Sequence, residues 1–252
     1  MKHSKILASW LRVSVSSRKG KERETMEDRV VIRSFGDFHI IAVLDGHGGE
    51  HTVQWVAKHL ITILKKCVKD DIRQGLRDAF GILHEKTKHN QDGTTISLLL
   101  INTKTRAQWL AHLGDSTVVG VSREKGIKKL SIDHKPHLKS EQSLLKSSEF
   151  QVKEGYLTLN DGDGIAMTRS LGDKAFDHVL NREPTIHHIT SSWEVIVLAS
   201  DGLWDVLKGE TLLKLLAQDS QDWENSAKRL NDYRHLHFPQ HDNCSIVIVF
   251  IS

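Results

Sequence analysis

Apolar positions along the chain follow two different rhythms. The run Phe38-His39-Ile40-Ile41-Ala42-Val43-Leu44 is short, rich in branched residues and stopped by Asp45-Gly46, which predicts a buried strand entering a glycine-rich turn. From Glu50 to Lys66 the spacing changes: Val53, Val56, Leu60, Ile63, Leu64 and Cys67 recur at three and four, one apolar stripe on a helix. A second helix is predicted over 70–89, with Ile72, Leu76, Ala79, Phe80 and Leu83 as its stripe and Asp70 or Asp71 as its cap. After Asp92-Gly93 the pattern predicts strands over 95–101, 108–113 and 118–122, separated by turn residues that permit hairpins.

The segment from Pro136 to Gly162 is polar, with Leu138, Leu144, Leu145 and Phe150 as its few anchors, and reads as a short helix plus a mobile flap over about 137–163. Strands are predicted again over 164–168 and 194–199, then helices near 209–218 and 222–235, and a closing strand over 245–250. Helices and strands come in blocks rather than in βαβ alternation, which predicts an α+β sandwich. At 252 residues and 38% hydrophobic content the chain is expected to form one domain over 1–252. It stops just after the last predicted strand, so no regulatory tail is expected.

Charge and composition narrow the classes. The 35 basic and 32 acidic residues nearly cancel to +3, which is no nucleic-acid-binding signature. Lys2, Lys5, Arg12, Arg18, Lys19, Lys21 and Arg23 crowd the start and read as a solvated surface run. No stretch approaches the ~18 apolar residues of a membrane helix, and Arg12 cuts the early apolar run too soon for a signal peptide. Cys67 and Cys244 suggest neither a disulfide framework nor a zinc spacing. The expectation is a soluble monomer of the cytoplasm or nucleus with no nucleic-acid or membrane partner.

Acidic residues stand at the ends of predicted strands: Asp28, Asp45, Asp115, Asp201 and Asp242. Taken singly, Asp-Gly after a strand is a common turn. If several converge, their repulsion needs compensation, and hard divalent cations with oxygen ligands supply it. Carboxylates without a Cys or His cluster point to magnesium or manganese rather than zinc. Two such ions can acidify a water and clamp a phosphate for in-line attack. That chemistry also calls for a cationic fork on the phosphate and an acid for the leaving alkoxide, and Arg23 and His47 stand beside acidic blocks.

Eight blocks occur in order: Arg23-Glu24-Thr25-Met26-Glu27-Asp28, Asp45-Gly46-His47-Gly48-Gly49, Asp92-Gly93-Thr94-Thr95, Gly114-Asp115-Ser116, Asp133-His134-Lys135-Pro136, Thr168-Arg169-Ser170-Leu171-Gly172-Asp173, Ala199-Ser200-Asp201-Gly202-Leu203-Trp204-Asp205 and Asp242-Asn243. Together they resemble the metal-dependent type-2C serine/threonine protein phosphatases. The resemblance implies a four-layer αββα sandwich of two mainly antiparallel sheets flanked by helices. It implies that Asp45 bridges two Mn2+ or Mg2+ ions, that the Gly46 carbonyl binds one, and that Asp201 and Asp242 hold the other. Glu27 and Asp28 would orient metal-bound waters, Asp115 would serve a weaker third ion with Asp201, Arg23 would grip the phosphate, and His47 would be the general acid. Phosphoproteins are the implied substrates.

This sequence departs from the family pattern in two places. Thr117 follows Gly-Asp-Ser where arginine is common, and the flap has Leu144-Leu145 and Ser147-Ser148 where the family carries an Arg-Ile pair and glycines. Flaps beside active sites govern substrate choice, so specificity does not transfer from relatives. Two other functions fit the same fold: a catalytically silent binding module, which would have lost metal ligands, and a phosphatase of small metabolites, which would need a deep pocket.

Overall fold

The computed structural model describes residues 4–147, 149–159, 164–207, 209–217, 222–238 and 242–252. The chain opens with strands β1 (Lys5–Ala8), β2 (Leu11–Arg18), β3 (Arg29–Phe35), β4 (Phe38–Leu44) and β5 (Gly46–His47), followed by helices α1 (His51–Cys67) and α2 (Ile72–Thr87). Strands β6 (Gly93–Thr94), β7 (Ile96–Asn102), β8 (Gln108–Leu113), β9 (Val118–Ser122) and β10 (Gly126–Lys129) come next. Helix α3 (Lys139–Gln142) precedes the short strands β11 (Gln151–Lys153), β12 (Tyr156–Thr158), β13 (Gly164–Ile165) and β14 (Leu171–Gly172). Then follow β15 (Thr185–Ile189), β16 (Val195–Ala199), α4 (Asp201–Trp204), α5 (Gly209–Ala217), α6 (Ser226–His237) and β17 (Cys244–Ile251).

Two antiparallel sheets carry the molecule, one in the order β1-β2-β17-β16-β9-β10 and the other β15-β8-β7-β4-β3. They meet face to face through Leu11, Val13, Val15, Ile196, Leu198 and Val247 on one side and Ile32, Ile41, Val43, Leu99 and Leu110 on the other. The outer face of the second sheet packs Ile40, Ala42, Leu44 and Leu98 under the predicted stripes of α1 and α2. The outer face of the first packs Val197, Ala199 and Ile246 under Leu203, Leu212 and Leu230. This is the four-layer αββα architecture that the resemblance implied. Strands such as β4 and β16 are buried on both faces, which is why they read as continuous apolar runs rather than as alternations. Of the two candidate caps for α2, Asp71 does the capping, accepting the Gln74 N–H at 2.9 Å.

In the two large sheets, strands β1, β2, β3, β10 and β15 were not among the expected elements, nor were the short strands β5, β6, β11, β12 and β14. The chain start, read as a basic surface run, contains β2, which lies between β1 and β17 and turns Leu11, Val13 and Val15 inward with period two. Its serines hid it: Ser14 and Ser16 are buried too, on the opposite face, and α6 with the Trp223–Asn225 turn before it supplies their partners, Ser14 Oγ donating to the Glu224 carbonyl at 2.9 Å. Ser14 Oγ accepts the Ala227 N–H at 3.1 Å, and Asn231 Nδ2 donates to Ser16 Oγ at 3.1 Å. The strand expected over 164–168 shrinks to β13, because Thr168 and Arg169 turn to a buried carboxylate, Glu141. The helix expected over 222–235 starts later, after a 3-10 turn at Trp223–Asn225, and runs to His237. The flap holds a β11–β12 hairpin in addition to the expected short helix. Lys2, Ser148, position 218 and flap residues 160–163 lie outside the described residues. No helix among the described residues is long and apolar enough to cross a membrane.

His112, fully buried on β8, gives the fold an acid sensitivity. Its Nδ1–H donates to Ser97 Oγ at 2.8 Å and Ser97 in turn donates to the Ser116 carbonyl, while Nε2 is buried without a partner. Burial holds this imidazole down to about 4, against an ordinary value near 6.5. The unfolded chain therefore binds the proton first. The stability contributed by neutral His112 is complete above about pH 6.5 and is lost as pH falls towards 4, roughly 3 kcal/mol in all. Urea unfolding at pH 7 and pH 4.5 should show a smaller acid loss in His112→Gln than in wild type.

Candidate active site

A third, small sheet organises the site. Strand β6 lies between β14 and β5, pairing Gly93 with both Gly172 and His47, and Thr94 with both Leu171 and Gly46. Asp45 ends β4 and is held at its carbonyl, which accepts the Thr95 N–H at 2.9 Å and Thr94 Oγ1 at 3.1 Å. Gly46 is glycine for want of space: a Cβ there would stand 2.7 Å from the Glu27 carbonyl oxygen. The absent side chain lets the segment carrying Arg23, Glu27 and Asp28 lie against β5.

Five carboxylates come from the ends of strands in both sheets. Asp28 precedes β3, Asp45 follows β4, Asp115 lies between β8 and β9, Asp201 opens α4 after β16, and Asp242 precedes β17. Asp45 is pushed well above the ordinary carboxylate range, first by burial and then by the charges of Asp201, Asp28, Asp115 and Asp242. Burial likewise drives Asp201 up to about 7, aided by Asp115, Asp242 and Asp205. Asp28 rises to about 6 through burial, despite hydrogen bonds from Ser200 and Ser245 that pull it back. Coulombic interaction weakens with distance, so this mutual influence marks one gathered set. Asp28 Oδ1 and Asp115 Oδ1 are buried and have no hydrogen-bond partner.

Cations of the protein itself partly offset the repulsion. Lys135 Nζ donates to Asp115 Oδ2 at 2.5 Å, and Arg23 Nη2 to Asp242 Oδ2 at 2.7 Å. Arg234, 1% exposed, holds Asp242 from behind by donating to its backbone carbonyl at 2.7 Å. Glu27 is raised by burial, with the Gly49 N–H and Arg23 acting against it. His47 sits opposite, its Nε2 2.9 Å from both carboxylate oxygens of Asp173. Burial pulls this imidazole down, but the charge and hydrogen bond of Asp173, with Asp115 and Glu27, leave it above its ordinary value.

The residues fit hard divalent cations. Among the described residues no group of three or more His, Cys, Asp or Glu side chains stands as a ready-made cage. Lys135 and Arg23 each hold one carboxylate oxygen of the set. The donors are nonetheless all oxygen, two of those oxygens are buried without partners, and the negative charge is in excess.

The structure thus brings together Asp28, Asp45, Asp115, Asp201 and Asp242, with Gly46, Glu27, Arg23 and His47 beside them. Lys135, Asp173, Arg234 and Ser200 were not singled out as site residues from sequence. Lys135, Asp173 and Ser200 lie inside the ordered blocks, which was their only signal; Arg234 had none, being one charged residue among many on a polar helix. Thr117 donates to Asp133 Oδ1 at 2.8 Å, so the atypical residue ties its loop to the next block. Trp204 packs in the outer core, donating from Nε1 to the Ala199 carbonyl at 3.0 Å. Arg169 likewise supports the fold, pairing with buried Glu141 through two nitrogens at 2.7 and 2.8 Å.

A four-layer sandwich with oxygen donors crowded at the ends of its strands, and an arginine and a histidine beside them, defines a phosphoester hydrolase centre. The Protein phosphatase 2C family model matches residues 12–236, and the chain belongs to that family. It is 31% identical over 234 residues to Probable protein phosphatase 2C 17 of Arabidopsis thaliana, covering 84% of this chain and 79% of the relative. It is 30% identical over 270 residues to Protein phosphatase 2C homolog 1 of Saccharomyces cerevisiae, covering 95% and 93%. A C. elegans sex-determining protein superimposes with a TM-score of 0.83 at 26% identity, over 97% of this chain and 66% of that one. A serine-threonine phosphatase 2C from Toxoplasma gondii shares the fold at a TM-score of 0.81 and 18% identity, covering 100% and 98%.

Crowded carboxylates make a stability test of the site. The folded protein holds Asp201 at about 7 against 3.8 unfolded, so its cost is absent in acid, grows as pH rises between those values and is complete above 7. In EDTA at pH 8, Asp201→Asn should raise Tm, with little effect at pH 4. Mn2+ should raise the wild-type Tm by several degrees and that of the variant by much less.

Proposed function

We propose that this protein phosphatase hydrolyses phosphoserine and phosphothreonine esters in proteins by direct attack of water, with no phosphoenzyme. Two Mn2+ or Mg2+ ions would be held by Asp45, the Gly46 carbonyl, Asp201 and Asp242, and a weaker third by Asp115 with Asp201. When bound, the ions supply an acidified water and neutralise charge on the phosphate. Glu27 and Asp28 orient water around the ions. Arg23 grips the phosphate, its planar fork matching two phosphate oxygens. His47 protonates the leaving alkoxide. The observation that carries this reading is the gathering of five mutually repelling carboxylates, two with buried unpartnered oxygens, beside an arginine and a histidine.

Exposure favours protein substrates over small metabolites. The side chains of Arg23 and Asp242 are 47% and 36% exposed, so a phosphate on a protein loop can reach them without entering an enclosed pocket. A silent binding module would have shed ligands, and this chain keeps every carboxylate that the mechanism needs. Both cysteines are free, which supports a reducing compartment, the cytoplasm or nucleus.

Phosphate release from a phosphothreonine peptide, with Mn2+ and with EDTA, tests the proposal. Release should require the metal and be abolished in Asp201→Ala and in Asp242→Ala; full activity in either variant at the same Mn2+ overturns the assignment. Arg23→Ala should raise KM more than it lowers kcat, by roughly 10-fold or more, as loss of a charge-assisted phosphate contact predicts.

A further inference from the structure

Asp173 occupies a conformation that needs explaining. It leaves β14 with φ 52° and ψ 59°, the left-handed region, which a residue other than glycine adopts at a cost in backbone energy. Such strain persists where the surroundings over-determine it. Here they do so from several sides. The Asp173 N–H donates to the Asp92 carbonyl at 3.1 Å, its own carbonyl accepts the Phe176 N–H at 2.9 Å, and buried Arg182 reaches that carbonyl at 3.4 Å. The side chain is 5% exposed, and its Oδ2 accepts the hydroxyl of Ser170. All of this aims one carboxylate at His47 Nε2.

The small sheet is built to allow that contact. His47, Gly93 and Gly172 stand side by side in register across β5, β6 and β14. A Cβ on Gly93 would lie 2.2 Å from Asp173 Oδ2 and 2.4 Å from His47 Nε2. Any other residue at 93 would drive the two groups apart.

We infer that Asp173 is the positioning residue of the general acid, fixing the ring orientation and tautomer of His47 across the platform that Gly93 provides. The inference rests on the reading of His47 as that acid. A carboxylate only accepts hydrogen bonds, so His47 Nε2 carries hydrogen in this contact and Nδ1 is the nitrogen left to deliver a proton. In the step, the water oxygen forms its bond to phosphorus as the ester P–O bond breaks. The electron pair of that bond stays on the serine or threonine oxygen, which takes the Nδ1 proton of the imidazolium. The neutral ring remains with its Nε2–H on Asp173, and a proton from solvent resets it. Outer hydrogen-bond partners that orient a reacting histidine act in this way, through the ring and without touching substrate.

The test separates positioning from mere structural support. Wild type, His47→Ala, Asp173→Asn and the double variant are assayed on a phosphothreonine peptide, whose alkoxide needs a proton, and on p-nitrophenyl phosphate, whose phenolate does not. Asp173→Asn should lower kcat on the peptide about 10- to 100-fold with little change in KM, and lose much less on p-nitrophenyl phosphate. In the His47→Ala background the same substitution should add less than about twofold, because residues acting as a unit are not additive. Equal losses on both substrates, or a full additional loss in the His47→Ala background, overturn the inference. If His47→Ala itself makes no distinction between the substrates, the acid reading fails and takes this inference with it. A measurement on the unmutated, Mg2+-loaded protein needs no variant to fold: imidazole 15N spectra should show hydrogen on His47 Nε2 in the neutral ring, and a neutral Nδ1–H form overturns the assignment.

Discussion

Mutual repulsion among Asp28, Asp45, Asp115, Asp201 and Asp242 is the constraint around which the rest of the site is arranged. Each carboxylate is brought in by the end of a strand or the loop beside it. The protein meets the cost in several ways at once. Lys135 and Arg23 supply charge from the rim, Ser200 supplies a hydrogen bond to Asp28, and Asp45 and Asp201 titrate far above the ordinary carboxylate range. These measures relieve the repulsion only in part, and hard cations are the natural complement to what remains.

Holding such a set requires a stiff frame, and the layered core provides it. Apolar residues on both faces of β4 and β16 fix the strands whose ends carry Asp45 and Asp201. Asp242 is held differently. Buried Arg234, projecting from α6, fixes its backbone, so a helix of the outer layer contributes directly to the position of a site residue. Loss of such a buried cation would leave its carbonyl partner unsatisfied as well as freeing the loop.

Glycines at the site act by what they leave out. Gly46 admits the backbone of Glu27, and Gly93 admits the contact between His47 and Asp173. The acidic half and the histidine half of the site are therefore joined through one small sheet, β14-β6-β5, rather than through either large one. The flap is anchored separately, by the buried Arg169–Glu141 pair, and its exposed Leu144 lies where the sequence departs from the family pattern.

Much of the fold was legible in the sequence because burial leaves a periodic trace. The stripes of α1 and α2 and the apolar runs of β4, β8, β9 and β16 were read from spacing alone, and the carboxylates were flagged by their recurrence after strands. The ordered blocks then carried the family. Strand β2 escaped because its second face is serine, and a buried serine looks polar until the partner that satisfies it is known. Only the tertiary structure decided that Ser14 and Ser16 meet α6, that Arg234 lies beneath Asp242, and that Asp173 reaches His47 across Gly93. These contacts join residues far apart in the chain, and their energies depend on distance and burial rather than on residue type. A sequence lists its donors, acceptors and charges, but which of them meet is fixed by the packing of the layers.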